Sequence, residues 1–226
     1  MNGILYGVGV GPGDPELMTL KAVRLIRENE VIAVPGRVPQ ETAAYKIAVQ
    51  AVPELEQKEL LSVFMPMIAD REKQKKEHRA AALKIEEILD EGKNVVFLTL
   101  GDPTIYSTFS YIQYIVESDG YEAALVSGIP SFCAAAAALK MSLSEWQEPL
   151  HIIPAVHCAD LIPDQPGTYV LMKSGKKMRE VKERLALTGR QICMAENCGM
   201  PEEKLYHSLD EIPDDAGYFS LIIAKE

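Results

Sequence analysis

"GVGVGPGDPELMTLKA", residues Gly7–Ala22, packs four glycines and two prolines into its first nine positions and then turns helical. The run that leads into it, "GILYGVGV", is short and apolar and reads as a strand. Behind it, Leu17, Leu20, Val23, Leu25 and Ile26 fall roughly on one helical side. Pro15 and Glu16 suit a helix start, by the preference for proline in the first turn and by the helix dipole. Strand, tight loop and helix in that order open an α/β unit.

The loop is not a phosphate cradle of a known kind. A dinucleotide fingerprint needs glycines at i, i+2 and i+5. Counting from Gly7 the third position is Pro12, and counting from Gly9 it is Asp14. There is no Gly-Lys-Ser/Thr ending either. Pro12 removes an amide donor, and Asp14 and Glu16 place negative charge where an anion would bind. Taken alone, the segment is equally well a structural turn with a charged cap.

The same alternation continues. "EVIAVP", "KELLSVFMP", "NVVFLTLG" and "YEAALVSG" read as further strands. "NVVFLTLG" is fully apolar, as expected at the centre of a buried sheet. Between them, "QETAAYKIAVQAV", residues 70–91 and "IYSTFSYIQYIVES" read as helices, with Gly92 as a C-cap. "PSFCAAAAALK" is a small-residue helix suited to close packing on a sheet. The fold class is therefore α/β with a largely parallel first sheet. Composition changes at "SLSEWQEP", and beyond it come five strand-like runs with one strong helix, "KKMREVKERLAL". This predicts two α/β domains, residues 1–145 and a smaller, strand-rich 146–226, with the boundary near Trp146.

With 226 residues, 47% hydrophobic and 25% charged, the chain has the make-up of a soluble globular protein. Its net charge of −10 argues against a general nucleic-acid-binding surface. The N-terminus lacks the pattern of a signal peptide, and the apolar run "LVSGIPSFCAAAAAL" is too short to span a bilayer. A cytoplasmic protein without membrane or nucleic-acid partners is expected. Cys133, Cys158, Cys193 and Cys198 form no C-x-x-C and are expected to be free thiols. The four histidines, His78, His151, His157 and His207, have no ligand spacing, and no metal site is expected.

Two more Gly/Pro loops follow predicted strands: "LGDPTIYST", Leu100–Thr108, and "VSGIPSF", Val126–Phe132. Open α/β sheets bind ligands outside the carboxyl ends of their strands, so three such loops point to one rim. Together, in this order, the three loops resemble the signatures of the tetrapyrrole methylase family, the class III S-adenosylmethionine-dependent methyltransferases. "LTLGDPTIYSTFSYI" and "YVLMKSG" are most similar to the members that methylate C20 of precorrin-2 or cobalt-factor II in cobalamin biosynthesis.

The resemblance spans essentially the whole chain. It implies a two-domain homodimer, with S-adenosylmethionine folded in the cleft between the domains and the tetrapyrrole in an adjoining trough. Cofactor contacts are implied at Pro12, Leu100, Gly101, Asp102, Ile105, Pro130 and Ser131, and in the second domain at Met172, Ala195 and Asn197. The third loop reads "GIPS" where several relatives carry "GITA", which bears on the contacts at Pro130 and Ser131.

Methyl transfer from a sulfonium demands in-line geometry and close approach, which rigid Gly/Pro loops suit. A base must take the proton of the methylated meso carbon. Asp102 is a candidate by position, with a structural or cofactor hydrogen bond as its other reading, and Tyr106 is a candidate orienting hydroxyl. The many carboxylates of a tetrapyrrole call for Arg or Lys donors. Arg37, just after "VPG" at a strand end, is the candidate anchor, whereas the basic-rich "DREKQKKEHR" reads better as a solvated helix face. Methylation of another tetrapyrrole position, or a non-catalytic tetrapyrrole carrier, are the other readings open to the same residues.

Overall fold

A computed structural model describes residues 2–65, 70–154 and 165–226. His157 and Cys158 lie outside the described residues. The chain divides into two compact units, Met1–Pro130 and Ser131–Glu226. The division falls ahead of the small-residue helix, which counts with the second unit.

The first unit holds a five-stranded sheet in the order β3-β2-β4-β1-β5, with every pair parallel. Its strands are β1 (Ile4–Gly9), β2 (Val31–Pro35), β3 (Glu59–Val63), β4 (Val95–Thr99) and β5 (Glu122–Val126). All five coincide with the runs expected from the sequence. Helices α1 (Leu20–Glu28), α2 (Ala43–Ala51), α3 (Arg71–Asp90) and α4 (Phe109–Ser118) connect them. β4 is buried along its whole length, as its apolar sequence requires. On one side of the sheet Leu5, Val95 and Phe97 pack with Ala82, Ile85 and Leu89 of α3 and Phe109, Ile112 and Val116 of α4. Apolar positions of α3 and α4 recur at three- and four-residue spacing, so each helix buries one stripe.

Two helix starts differ from the sequence reading. The first helix does not begin at Pro15: Pro15–Leu17 is a 3-10 turn capped by Asp14, whose side chain accepts from the Glu16 N–H at 2.8 Å. α1 begins at Leu20 because Thr19 is extended and its hydroxyl accepts from the Ala22 N–H at 3.2 Å. An N-cap hydroxyl satisfies an orphan amide of the first turn, and that decides where the helix starts. The fourth helix begins at Phe109 rather than Ile105, because Tyr106 is left-handed (φ 47°) and the Ser107 hydroxyl takes the Phe109 N–H at 3.2 Å.

The second unit opens with α5 (Ser131–Ala138) and carries a mixed sheet in the order β6-β7-β10-β8-β9. Its strands are β6 (Leu150–Pro154), β7 (Thr168–Met172), β8 (Gln191–Glu196), β9 (Lys204–Tyr206) and β10 (Ser220–Lys225). Only β6 and β7 pair in parallel. α6 (Met178–Leu185) buries Met178, Val181 and Leu185 with Leu171, Met194 and Ile222 on one side of this sheet. Among the described residues no helix is long and apolar enough to cross a membrane.

Candidate functional site

β1, β4 and β5 are adjacent and parallel, so their carboxyl ends share one edge. Each is followed by one of the three Gly/Pro loops. The strand order places β4 between β1 and β2, although β4 comes after both β2 and β3 in the chain, and the rim lies where the winding reverses.

The loops are joined through backbone. Gly101 N–H donates to Gly11 O at 2.8 Å, Gly11 N–H donates to Gly101 O at 3.3 Å, and Val10 N–H donates to Thr99 O at 2.9 Å. Gly11 and Gly101 are both left-handed, at φ 77° and 71°, a conformation glycine takes without steric cost. A Cβ on Gly9 would lie 2.5 Å from Gly101 O and 2.7 Å from Gly128 N. One on Gly128 would lie 2.1 Å from Gly101 O. One glycine from each loop therefore meets the others backbone to backbone, with no room for a methyl group.

Asp102 ties the second loop to the third. Its Oδ2 accepts the Gly128 N–H at 2.9 Å, and its Oδ1 accepts the Thr104 N–H at 2.8 Å and the Thr104 hydroxyl at 2.5 Å. The residue is buried, at 7% exposure, and both carboxylate oxygens are engaged. A charge-assisted clamp of this kind is stronger than neutral hydrogen bonds. Thr19 adds a second tie, its hydroxyl donating to Ser127 O at 3.4 Å while it caps α1. Below the second loop the Thr99 and Ser107 hydroxyls pair at 2.8 Å.

The residues singled out from the sequence on this rim have distinct settings. Pro12, Gly101 and Asp102 are buried, and Leu100, Ile105 and Pro130 are half-buried. Tyr106 is 46% exposed and held in a left-handed turn, uncommon for a bulky residue. Ser131 begins the second unit as the first residue of α5. Arg37 follows β2, the neighbour of β4, and its guanidinium lies 4.3 Å from the centroid of the Phe64 ring. Thr19, Thr104 and the Gly9–Gly128 contact were not singled out from the sequence. The Asp-x-Thr spacing at Asp102 is a readable Asx-turn signal, whereas a contact between positions 9 and 128 leaves no local trace.

In the second unit, Met172 ends β7 and Ala195 lies in β8, and both stand in register with Leu221 of β10. The two residues therefore share one row and one face of that sheet, opposite the face of Leu171, Met194 and Ile222. Asn197 leaves β8 in a left-handed conformation (φ 52°), its N–H donating to Phe219 O at 3.1 Å and its side-chain amide to Glu202 O at 3.4 Å. Lys173, directly after Met172, is also left-handed (φ 61°), and burial pushes its ammonium pKa down. Burial, with Glu203 as a smaller cause, pushes the Cys198 thiol up to about 11.

Glycine, proline and carbonyl groups dominate the three loops, and none carries Lys or Arg between Gly9 and Asp14, Leu100 and Thr108, or Val126 and Ser131. Loops of this composition let backbone approach a ligand closely. Among the described residues no group of three or more His, Cys, Asp or Glu could hold a metal ion.

The sequence is 36% identical over 229 residues to a probable cobalt-precorrin-2 C(20)-methyltransferase of Methanocaldococcus jannaschii, covering 98% of this chain and 95% of that protein. It is 31% identical to the cobalt-precorrin-2 C(20)-methyltransferase of Salmonella typhimurium, covering 100% and 98%. The fold matches a uroporphyrin-III C-methyl transferase of Thermus thermophilus, solved with S-adenyl homocysteine, at a TM-score of 0.71 and 22% identity, covering 99% and 98%. Residues 4–213 match the model of the tetrapyrrole (corrin/porphyrin) methylases. With the three-loop rim, the α/β architecture and this full-length similarity in agreement, the chain belongs to the tetrapyrrole methylase family.

Proposed function

We propose that the protein is an S-adenosylmethionine-dependent methyltransferase that methylates C20 of cobalt-factor II, or of metal-free precorrin-2, in cobalamin biosynthesis. The observation that carries this reading is the rim of three glycine loops in a chain similar along its whole length to two C20-methyltransferases. Both of those relatives are named for the cobalt-bearing acceptor, which favours cobalt-factor II.

In this reading Pro12, Leu100, Gly101, Asp102, Ile105 and Pro130 shape the cofactor surface of the first unit. Within the second unit, Ser131, Met172, Ala195 and Asn197 are the residues proposed to touch the cofactor. The cofactor supplies an electrophilic methyl group on a sulfonium. The chain's own task is to hold the reactants in line and to exclude water, and locked backbone does this at little entropic cost. Asp102 ties the second loop to the third through the Gly128 N–H and braces its own loop through the Thr104 N–H and hydroxyl. Tyr106 is the exposed acid–base side chain of the second loop, and so the one a substrate meets. We also read the protein as cytoplasmic and as a homodimer, and light scattering on the purified protein tests the dimer.

The deciding experiment incubates the purified protein with S-adenosylmethionine and, in parallel, cobalt-factor II and precorrin-2. A product one methyl group heavier, with the methyl placed on C20 by NMR, is expected, and the cobalt acceptor is expected to turn over faster. A methyl at another position, or tight binding without turnover, refutes the C20 assignment.

A further inference from the structure

The exit of β2 is more elaborately built than an ordinary surface turn. Gly36 N–H donates to Val63 O at 3.1 Å, which prolongs the β2–β3 pairing past Pro35. The Ser62 hydroxyl reaches back to Gly36 O at 2.6 Å and Arg37 O at 3.2 Å. Beyond Val63, the Phe64 ring lies under the Arg37 guanidinium. Two residues flanking the end of β3 thus hold the backbone and the head group of one arginine.

The arginine so held is exposed, and among the described residues it pairs with no carboxylate. Arg24, Arg27, Arg79, Arg179 and Arg190 each pair with an acid, as is natural in a chain of net charge −10, whereas among the described residues Arg71, at the start of α3, shares the unpaired state of Arg37 but not its stack or its place at a strand end. A guanidinium stacked on an aromatic face keeps its N–H edges available, and that edge matches a carboxylate in a two-point fork. The turn lies on the same edge of the sheet as the glycine loops, one strand from Gly101 and Asp102.

We propose that Arg37 grips a peripheral carboxylate of the tetrapyrrole, and that Phe64 and Ser62 are positioning residues that pre-set its guanidinium. The proposal rests on the tetrapyrrole reading above and adds a substrate-selecting corner to it. Fixing a rotamer-rich side chain in advance lowers the ordering cost of binding.

The test compares Arg37→Gln, Arg37→Lys, Phe64→Ala and Phe64→Tyr in the full chain. Two dissociation constants are measured for each: sirohydrochlorin by absorbance titration and S-adenosylhomocysteine by calorimetry. Losing a charge-assisted fork is expected to weaken sirohydrochlorin about tenfold or more in Arg37→Gln and nearly as much in Arg37→Lys. Losing the stack in Phe64→Ala is expected to weaken it about two- to fivefold, with Phe64→Tyr close to wild type. S-adenosylhomocysteine binding is expected to stay within about twofold throughout, and in turnover KM is expected to rise with kcat little changed. Unchanged sirohydrochlorin binding in both Arg37 variants overturns the proposal. A wild-type protein that binds S-adenosylhomocysteine but no tetrapyrrole overturns instead the reading on which it rests.

Discussion

Gly128→Ala tests whether the glycine contact between the loops sets the cofactor surface. The added Cβ would sit 2.1 Å from Gly101 O and 2.9 Å from the Gly9 backbone, where no rotamer can relieve it. Restoring even a 3.0 Å contact moves the third loop from the second by about 0.9 Å. Overpacking of this kind costs about 1–3 kcal/mol, which for a chain of this size lowers Tm by about 2–4 °C per kcal/mol. The same movement strains the 2.9 Å hydrogen bond from Gly128 N–H to Asp102. A displacement near 1 Å in a positioning surface costs function up to about a hundredfold.

The comparison variant is Gly120→Ala, in the turn at the other end of β5. Gly120 is left-handed (φ 92°) with nothing within 4 Å of a Cβ, so alanine there adds backbone strain of about 1 kcal/mol and no collision. The assay is S-adenosylhomocysteine binding by calorimetry, with thermal unfolding alongside. Gly128→Ala is expected to bind about tenfold more weakly or worse, and Gly120→Ala within about twofold of wild type. Wild-type affinity in Gly128→Ala, with the chain folded, would refute the argument that loop contact and cofactor surface are one feature.

Asp102→Asn leaves one acceptor oxygen where three donors converge, so either Gly128 N–H or the Thr104 pair loses its partner. A loss of about 1–3 kcal/mol in the unfolding of the first unit is expected, together with weaker S-adenosylhomocysteine binding, by denaturant titration and calorimetry. His78 is buried and stacked on Tyr111 at 4.8 Å, and burial pushes its pKa below the usual 6.5. The unfolded chain then binds the proton more readily, so this contribution is full above about pH 6.5 and is lost as pH falls below it, with a slope of at most about 1.4 kcal/mol per pH unit. His78→Phe is expected to remove that slope while keeping the stack, which urea titrations between pH 7 and 5 measure. The Cys198 thiol, held up to about 11, is about one part in a thousand thiolate at pH 8, so iodoacetamide is expected to label it far faster in urea than in the folded chain by mass spectrometry.

Much of the molecule was legible in local pattern. Alternating apolar runs located all five strands of the first sheet, and Gly/Pro punctuation located the three loops behind β1, β4 and β5. The failure of the dinucleotide fingerprint at Pro12 and Asp14, with the missing Gly-Lys-Ser/Thr ending, already pointed away from a nucleotide phosphate. These readings succeed because strand, helix and turn signals act over at most a few residues.

What the sequence alone could not place are the consequences of strand order. β4 inserts between β1 and β2, and that insertion brings Gly9, Gly101 and Gly128 into contact and sets Arg37 one strand away. The sequence reads Asp102 as a base or as a structural or cofactor hydrogen-bonding group, and only the fold brings its carboxylate to the Gly128 N–H, 26 residues further on. Thr19 moved the start of α1 to Leu20 and reached Ser127, 108 residues away. The sequence by itself determined which segments become strands and where the three glycine loops fall between them. Only the tertiary structure decided which loops touch, because a hydrogen bond between residues far apart in the chain depends on the order in which the strands pair.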